Sequence, residues 1–235
     1  MASRTGWLDD QEVLWATSQL LLESGWGNAD GLHKEVYSKG EHSVVVAPTS
    51  ACWQSNLPHM IHEVGRARRA EQVPPGVSRR IARREIEGTS GTILTLHQST
   101  GHWRVALVHH GAKRAYHWDP FGHPVEATVV SALKEAYGGY EVQALPFVIQ
   151  TDAYNCGVYA SWCASQFAAF LSEGPDLSFA TYLRDKMSRG AAGGIAEVPA
   201  RGHAQGTRNE EYCYEVRRRL NELVRAERRG TGPQD

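Results

Sequence analysis

Long apolar runs are missing from this chain. No stretch of its 235 residues approaches the ~18 consecutive apolar positions of a membrane span, and residues 1–10 carry no apolar core of signal-peptide length. No membrane partner is expected. Cysteine is scarce too. Cys52, Cys156, Cys163 and Cys213 are scattered and include no Cys-x-x-Cys pair, which excludes a disulfide scaffold and points to an intracellular, reducing compartment such as cytoplasm or nucleus. Cys156 and Cys163, seven apart, would sit two turns apart on one helix face, too far to bridge. Net charge is nearly absent: a formal −1 gives no whole-chain case for nucleic acid as a partner. Lysine is rare, five against twenty arginines, and the arginines crowd residues 66–84 and 217–229. Interspersed Glu63, Glu71, Glu85 and Glu87 favour a solvated face for the first cluster. His59-x-x-His62 near Cys52 has metal-ligand chemistry but no completed set at metal-site spacing, so no metal is expected.

What is present is an ordinary globular composition, 41% hydrophobic, in a chain long enough for one domain with its own core. Asp9 or Asp10 is a helix N-cap, Val13, Leu14, Ala16, Leu20 and Leu21 give a helical stripe to Glu23, and Ser24-Gly25-Trp26-Gly27 ends it. Residues 44–48 are extended, and residues 59–71 and 76–87 read as Arg-rich helices broken by Pro74-Pro75. Strands are expected at 92–96, 103–108 and 115–119, with Gly111 turning the last two into a hairpin. A helix over 125–137 stops at Gly138-Gly139, a strand covers 141–145, and 156–171 is a mostly apolar, central helix. The Gly/Ala-rich 190–206 reads as a mobile loop, and a charged helix closes the chain over 207–230, its regular pattern starting at Glu210. Strands grouped between helices indicate an α+β domain spanning 1–235.

Chemistry concentrates at the edges of these elements. Cys156 opens the central helix, where unpaired N–H groups and the helix dipole favour a thiolate. His102 follows Ser99-Thr100-Gly101 where a loop enters the sheet, and Asp119 ends a strand before Pro120. A thiol, an imidazole, a carboxylate to fix its tautomer and an amide donor such as Gln150 for an oxyanion are what a cysteine hydrolase needs. His109, His110, His117 and His123 compete with His102 for the imidazole role; His109 and His110 fall at the hairpin turn and read as solvated. Cys163, in the apolar body of the helix, reads as core.

The set His102-Trp103, Asp119 seventeen residues on, and Gln150 six residues before Cys156-Gly157 resembles the ubiquitin-like-protein protease family, the SUMO-protease and adenovirus-protease clan. Trp7-Leu8-Asp9-Asp10 resembles that family's opening Trp-Leu-x-Asp, so the resemblance runs from about residue 7 to about 170. The family normally has Asp before the nucleophile; here it is Asn155. The resemblance implies a papain-like core with a central mixed sheet flanked by helices. It also implies catalytic His102, Asp119, Gln150 and Cys156 without a cofactor, and the Trp after His102 decides among the histidines. Trp7 and Trp103 would cover the Gly-Gly tail of a substrate, Asp10 would pair with a basic residue of the modifier, and Gly157 would let a substrate carbonyl approach the nucleophile's N–H. The expected function is that of a monomeric cysteine protease or isopeptidase cleaving after the Gly-Gly of a SUMO-type modifier or ubiquitin. Alternatives are a clan-related acetyltransferase effector, which would act inside a host cell, and a viral or mobile-element type polyprotein peptidase.

Overall fold

The computed structural model describes residues 7–28, 36–47, 89–98, 101–189, 195 and 203–228. In chain order the described elements are α1 (Asp10–Glu23), β1 (Gly27–Asn28), β2 (Val36–Lys39), β3 (His42–Val46), β4 (Gly91–Gln98), β5 (His102–His109) and β6 (Arg114–Trp118). Then follow α2 (Ala127–Ala136), β7 (Glu141–Ala144), α3 (Cys156–Glu173), α4 (Phe179–Arg189) and α5 (His203–Arg228). The seven strands form one mixed sheet in chain order, antiparallel except where β3 meets β4 and β6 meets β7. The central mixed sheet flanked by helices is the α+β architecture expected from the sequence.

The sheet is covered on both faces, which is why β5 is apolar nearly throughout rather than alternating with polar residues. Trp103, Val105 and Leu107 point to one side and pack with Tyr116 and Trp118 of β6, with α1 and with the length of α3. Ala106 and Val108 point to the other side, into a smaller cluster with Leu94, Leu96 and α2. Each fully buried Val, Leu or Phe contributes roughly 1.5–3 kcal/mol of burial against the entropy of ordering the chain.

Helix α1 starts with a capping box: Asp9 Oδ1 accepts from the Glu12 N–H at 2.8 Å, and the Asp9 N–H donates to Glu12 Oε2 at 3.1 Å, a device of about 1 kcal/mol. The helix lies against α3, where Thr17 Oγ1 donates to Ser161 Oγ at 3.0 Å inside the core. Helix α3 ends at Gly174, whose φ of +57° gives the left-handed cap that a residue with Cβ resists. Helix α5 closes on both of these helices. Arg219 grips Glu23 at the end of α1 at 2.9 Å, and buried Asn209 donates to the Ile149 carbonyl at 2.9 Å.

Several expectations need correction. The closing helix begins at His203, so the last four residues of the expected loop over 190–206 are helical. The helix expected over 125–137 covers Ala127–Ala136. Strands β1 and β2, at two and four residues, are too short to carry a pattern. His110 is not solvated: it is buried, with Nε2 2.9 Å from Thr92 Oγ1. His109 is half-buried against Phe167 and Phe170, and that burial leads its pKa downward. The Arg-rich helices expected at 59–71 and 76–87, and the His59, His62 and Cys52 group, lie outside the described residues.

Candidate active site

Strand register assembles one half of the site. Val105 of β5 pairs with Trp118 of β6, so the next position along sets Arg104 opposite Asp119 on the other face of the sheet. Side chains two apart share a face, which adds His102 to that group. The contacts follow. His102 Nε2 lies 3.0 Å from Asp119 Oδ1, which also accepts the Phe121 N–H at 2.8 Å. Arg104 Nε lies 2.8 Å from Asp119 Oδ2, and Arg104 Nη1 donates to Glu126 at 3.1 Å. His123 Nδ1 reaches the same Oδ2 at 3.3 Å from an exposed turn.

Burial alone would push the Asp119 pKa upward. The His102 hydrogen bond and charge, the Phe121 N–H and the Arg104 guanidinium outweigh it and hold the carboxyl below its usual value. With Nε2 committed to Asp119 as a donor, Nδ1 of His102 is the nitrogen left to take a proton. The Phe121 ring lies 5.1 Å from the His102 ring and limits its rotation.

A tight turn before α3 builds the other half. Asp152 Oδ1 accepts the N–H groups of Tyr154 at 2.9 Å and Asn155 at 2.7 Å, and its Oδ2 accepts from Asn155 Nδ2 at 3.0 Å. This is an Asx-type turn that aims the chain into the helix. Asn155, at the N-cap, uses its side chain away from the helix. Its Oδ1 accepts from Arg217 Nε of α5 at 2.8 Å, and Arg217 Nη2 donates to the Tyr154 carbonyl at 2.9 Å. Arg217 is almost fully buried, so the last helix braces the turn that presents Cys156.

Cys156 Sγ faces the backbone N–H groups of Trp103, Gly157 and Cys156 itself. Those donors favour a thiolate, but burial dominates and raises the thiol pKa. The helix N-terminus therefore does not by itself produce the reactive thiolate the sequence suggested. The Trp103 contact brings the thiol to the residue next to His102. Gln150, also buried, donates from Nε2 to the Asp152 carbonyl at 2.8 Å, and its Oε1 has no hydrogen-bond partner among the described residues. Nε2 also lies 3.5 Å from Asp152 Oδ1.

The expected tryptophan pair is uneven. Trp7 is half-exposed and lies across Gly101; a Cβ there would fall 1.4 Å from Trp7 Cζ3, and the Gly101 φ of +84° excludes most side chains independently. Trp103 is 1% exposed and donates its indole N–H to the Leu8 carbonyl at 2.9 Å. It therefore ties the segment before α1 to β5 and presents little open surface. Gly157 also differs from expectation. Its missing Cβ is occupied space, 2.8 Å from Val13 Cγ2 and 3.2 Å from Trp103 Cδ1, so glycine here lets α3 close on α1. Asp10 is the first residue of α1. Cys163 is fully buried, in line with a core role.

Sequence reasoning missed Arg104, Asp152 and Arg217, and took His123 only as a rival to His102 for the imidazole role. Arg104 was within reach, since alternation from His102 along β5 puts it on the same face. The other two depend on a turn or a distant helix. One group of possible metal ligands exists among the described residues: His102, Asp119 and His123, with ligand atoms within 4.8 Å of one another.

No family model matches the chain, and no curated protein matches it by sequence. Solved structures do match. A SUMO protease, Ulp1, with its catalytic cysteine oxidised to a sulfonic acid, aligns at 11% identity over 92% of this chain and 78% of its own, with a TM-score of 0.50. An ASFV protease aligns at 12% identity over 93% of this chain and 70% of its own, with a TM-score of 0.52. The chain has the SUMO-protease fold. The Xanthomonas campestris effector XopD, solved bound to ubiquitin, aligns at 18% identity over 94% of this chain and 93% of its own, with a TM-score of 0.48. In the SUMO-protease fold of this chain, His102 opens β5, Asp119 directly follows β6 and Cys156 opens the central helix.

Proposed function

We propose that the chain, as one catalytic domain, is a cysteine peptidase that cleaves after the C-terminal Gly-Gly of a ubiquitin-like modifier, SUMO-type first. The observation that carries this reading is the meeting of the two halves. The Cys156 thiol lies at the N–H of Trp103, the residue that follows His102 on β5, and His102 Nε2 lies 3.0 Å from Asp119 Oδ1. Nδ1 of His102 takes the thiol proton as sulfur attacks the scissile carbonyl, and Gln150 with the Cys156 N–H donates to the oxyanion. The protonated His102 then gives its proton to the leaving amine. Water, deprotonated by the same nitrogen, releases the modifier from the thioester. Asp119 stabilises the imidazolium throughout. The nucleophile must remain a free thiol, which fits a reducing compartment.

A panel of SUMO and ubiquitin proteins carrying C-terminal electrophiles tests this. Labelling of Cys156 by one of them, and none in Cys156→Ala, is the expected result; no labelling by any modifier sinks the substrate class.

One observation favours a second reading, a peptidase that cuts polyprotein chains. Trp103 is buried, so only Trp7 offers an open indole to a substrate tail. Tails ending Gly-Gly, Ala-Gly and Ala-Ala separate the two. A closed slot discriminates by roughly ten- to hundredfold per added methyl, from overpacking of ~1–3 kcal/mol, whereas a polyprotein peptidase cuts all three.

A further inference from the structure

We propose that His102, Asp119 and His123 form an inhibitory binding site for a zinc-class divalent cation. The inference rests on the peptidase reading only for its consequence, inhibition; the binding itself does not. Two imidazoles and one carboxylate are ligands such a metal takes, with a fourth position left to water. The spacing is already close to that of a metal site. His102 Nε2 to Asp119 Oδ1 is 3.0 Å and His123 Nδ1 to Asp119 Oδ2 is 3.3 Å, while ligand atoms on a tetrahedral zinc lie about 3.3 Å apart. All three residues contribute ligand atoms within 4.8 Å of one another.

Access and charge permit it. The His123 side chain is 59% exposed, so a cation arrives from solvent without opening the core. Arg104 places a positive charge beside Asp119, but Glu126 at 3.1 Å balances it, and the Asp119 carboxylate is left as the net local charge.

The chemical consequence follows from the two nitrogens of one ring. A metal on Nε2 needs that nitrogen's lone pair, so the proton of the neutral imidazole moves to Nδ1 and the ring keeps a single proton. Nδ1 becomes an N–H donor and can no longer accept the thiol proton. Asp119 is at the same time withdrawn from orienting the ring. His123 thus has a role its sequence position did not suggest: it completes a clamp that switches off the base.

Isothermal titration of ZnCl2 into Cys156→Ala and into His123→Ala, with visible spectra of the Co2+ forms, tests the site. Cys156→Ala should bind one equivalent with no thiolate-to-cobalt charge-transfer band. His123→Ala should lose about tenfold or more in affinity and, measured against its own metal-free rate, in sensitivity to zinc inhibition. Unaltered zinc affinity in His123→Ala overturns the proposal, as does zinc binding that vanishes in Cys156→Ala but survives in His123→Ala, which would put the metal on the thiol. If the parent protein cleaves no modifier, the peptidase reading fails while the titration still decides the metal site.

Discussion

On the sheet side of the site, both oxygens of Asp119 are engaged, by His102, the Phe121 N–H, Arg104 and His123, and the carboxyl pKa is held down. On the helix side, burial raises the Cys156 thiol, and the carbonyl oxygen of Gln150 has no partner among the described residues. One half is finished before substrate arrives. The other is sterically framed by the Asp152 turn and Arg217, but its charge is not yet developed. For the proposed mechanism this means that His102 is oriented in advance by hydrogen bonds, whereas ionisation of Cys156 is left to the encounter with substrate.

The largest effect should come from the helix side. Cys156→Ala is expected to abolish turnover while circular dichroism and modifier binding stay unchanged; residual turnover would remove the assignment. Alkylation of Cys156 by iodoacetamide in the free protein should rise with pH, with its inflection above the ordinary thiol range of about 8.5, because burial favours the neutral thiol. An inflection near neutrality would erase the contrast between the halves.

On the sheet side, Asp119→Asn should cost turnover by as much as ~10⁴-fold with little change in modifier affinity, since it disturbs the imidazole tautomer and not a docking surface. A loss of affinity with unchanged turnover of the bound complex would make Asp119 structural.

The brace comes next. Arg217→Ala leaves Asn155 Oδ1 and the Tyr154 carbonyl without their buried donor, and an acceptor left unsatisfied in this way costs about 1–3 kcal/mol. Urea unfolding measures it, and a change under about 1 kcal/mol, below that range, would show that the Asp152 turn stands alone.

A smaller effect sharpens the electrostatics beneath the sheet-side group. His117 is buried, its Nε2 without a partner among the described residues, and burial first, then Arg104, pushes its pKa down to about 4. It is neutral when folded and protonates in the unfolded chain below about 6.5, so the unfolded state binds more protons between those values. Stability should therefore fall as pH drops from about 6.5 toward about 4. His117→Leu should flatten that fall in thermal melts; an identical acid profile would show that His117 does not govern it.

Much of this was legible because it is local. Strands β4 to β6 announce themselves by apolar runs bounded by glycine, α3 by its unbroken apolar body, and the order of His102, Asp119, Gln150 and Cys156 by spacing along the chain. What stayed hidden depends on packing between distant segments. Nothing near Gly157 says that Val13 fills its space, and nothing near Asn155 names Arg217. His110 read as solvated because a turn residue usually is; its bond to Thr92 depends on strand pairing. Trp103 stood out in the sequence beside His102, while its bond to Leu8, with the ring buried, did not.

The position of Arg217 also has a consequence in time. It lies 61 residues after Cys156, so a ribosome has issued that thiol well before it issues the guanidinium that steadies the turn ahead of it. Synthesis at ~5–20 residues per second makes that gap several seconds. During it the nascent polypeptide carries a cysteine, a histidine and an aspartate but lacks the clasp across Tyr154 and Asn155, and the finished geometry waits on translation of the final helix.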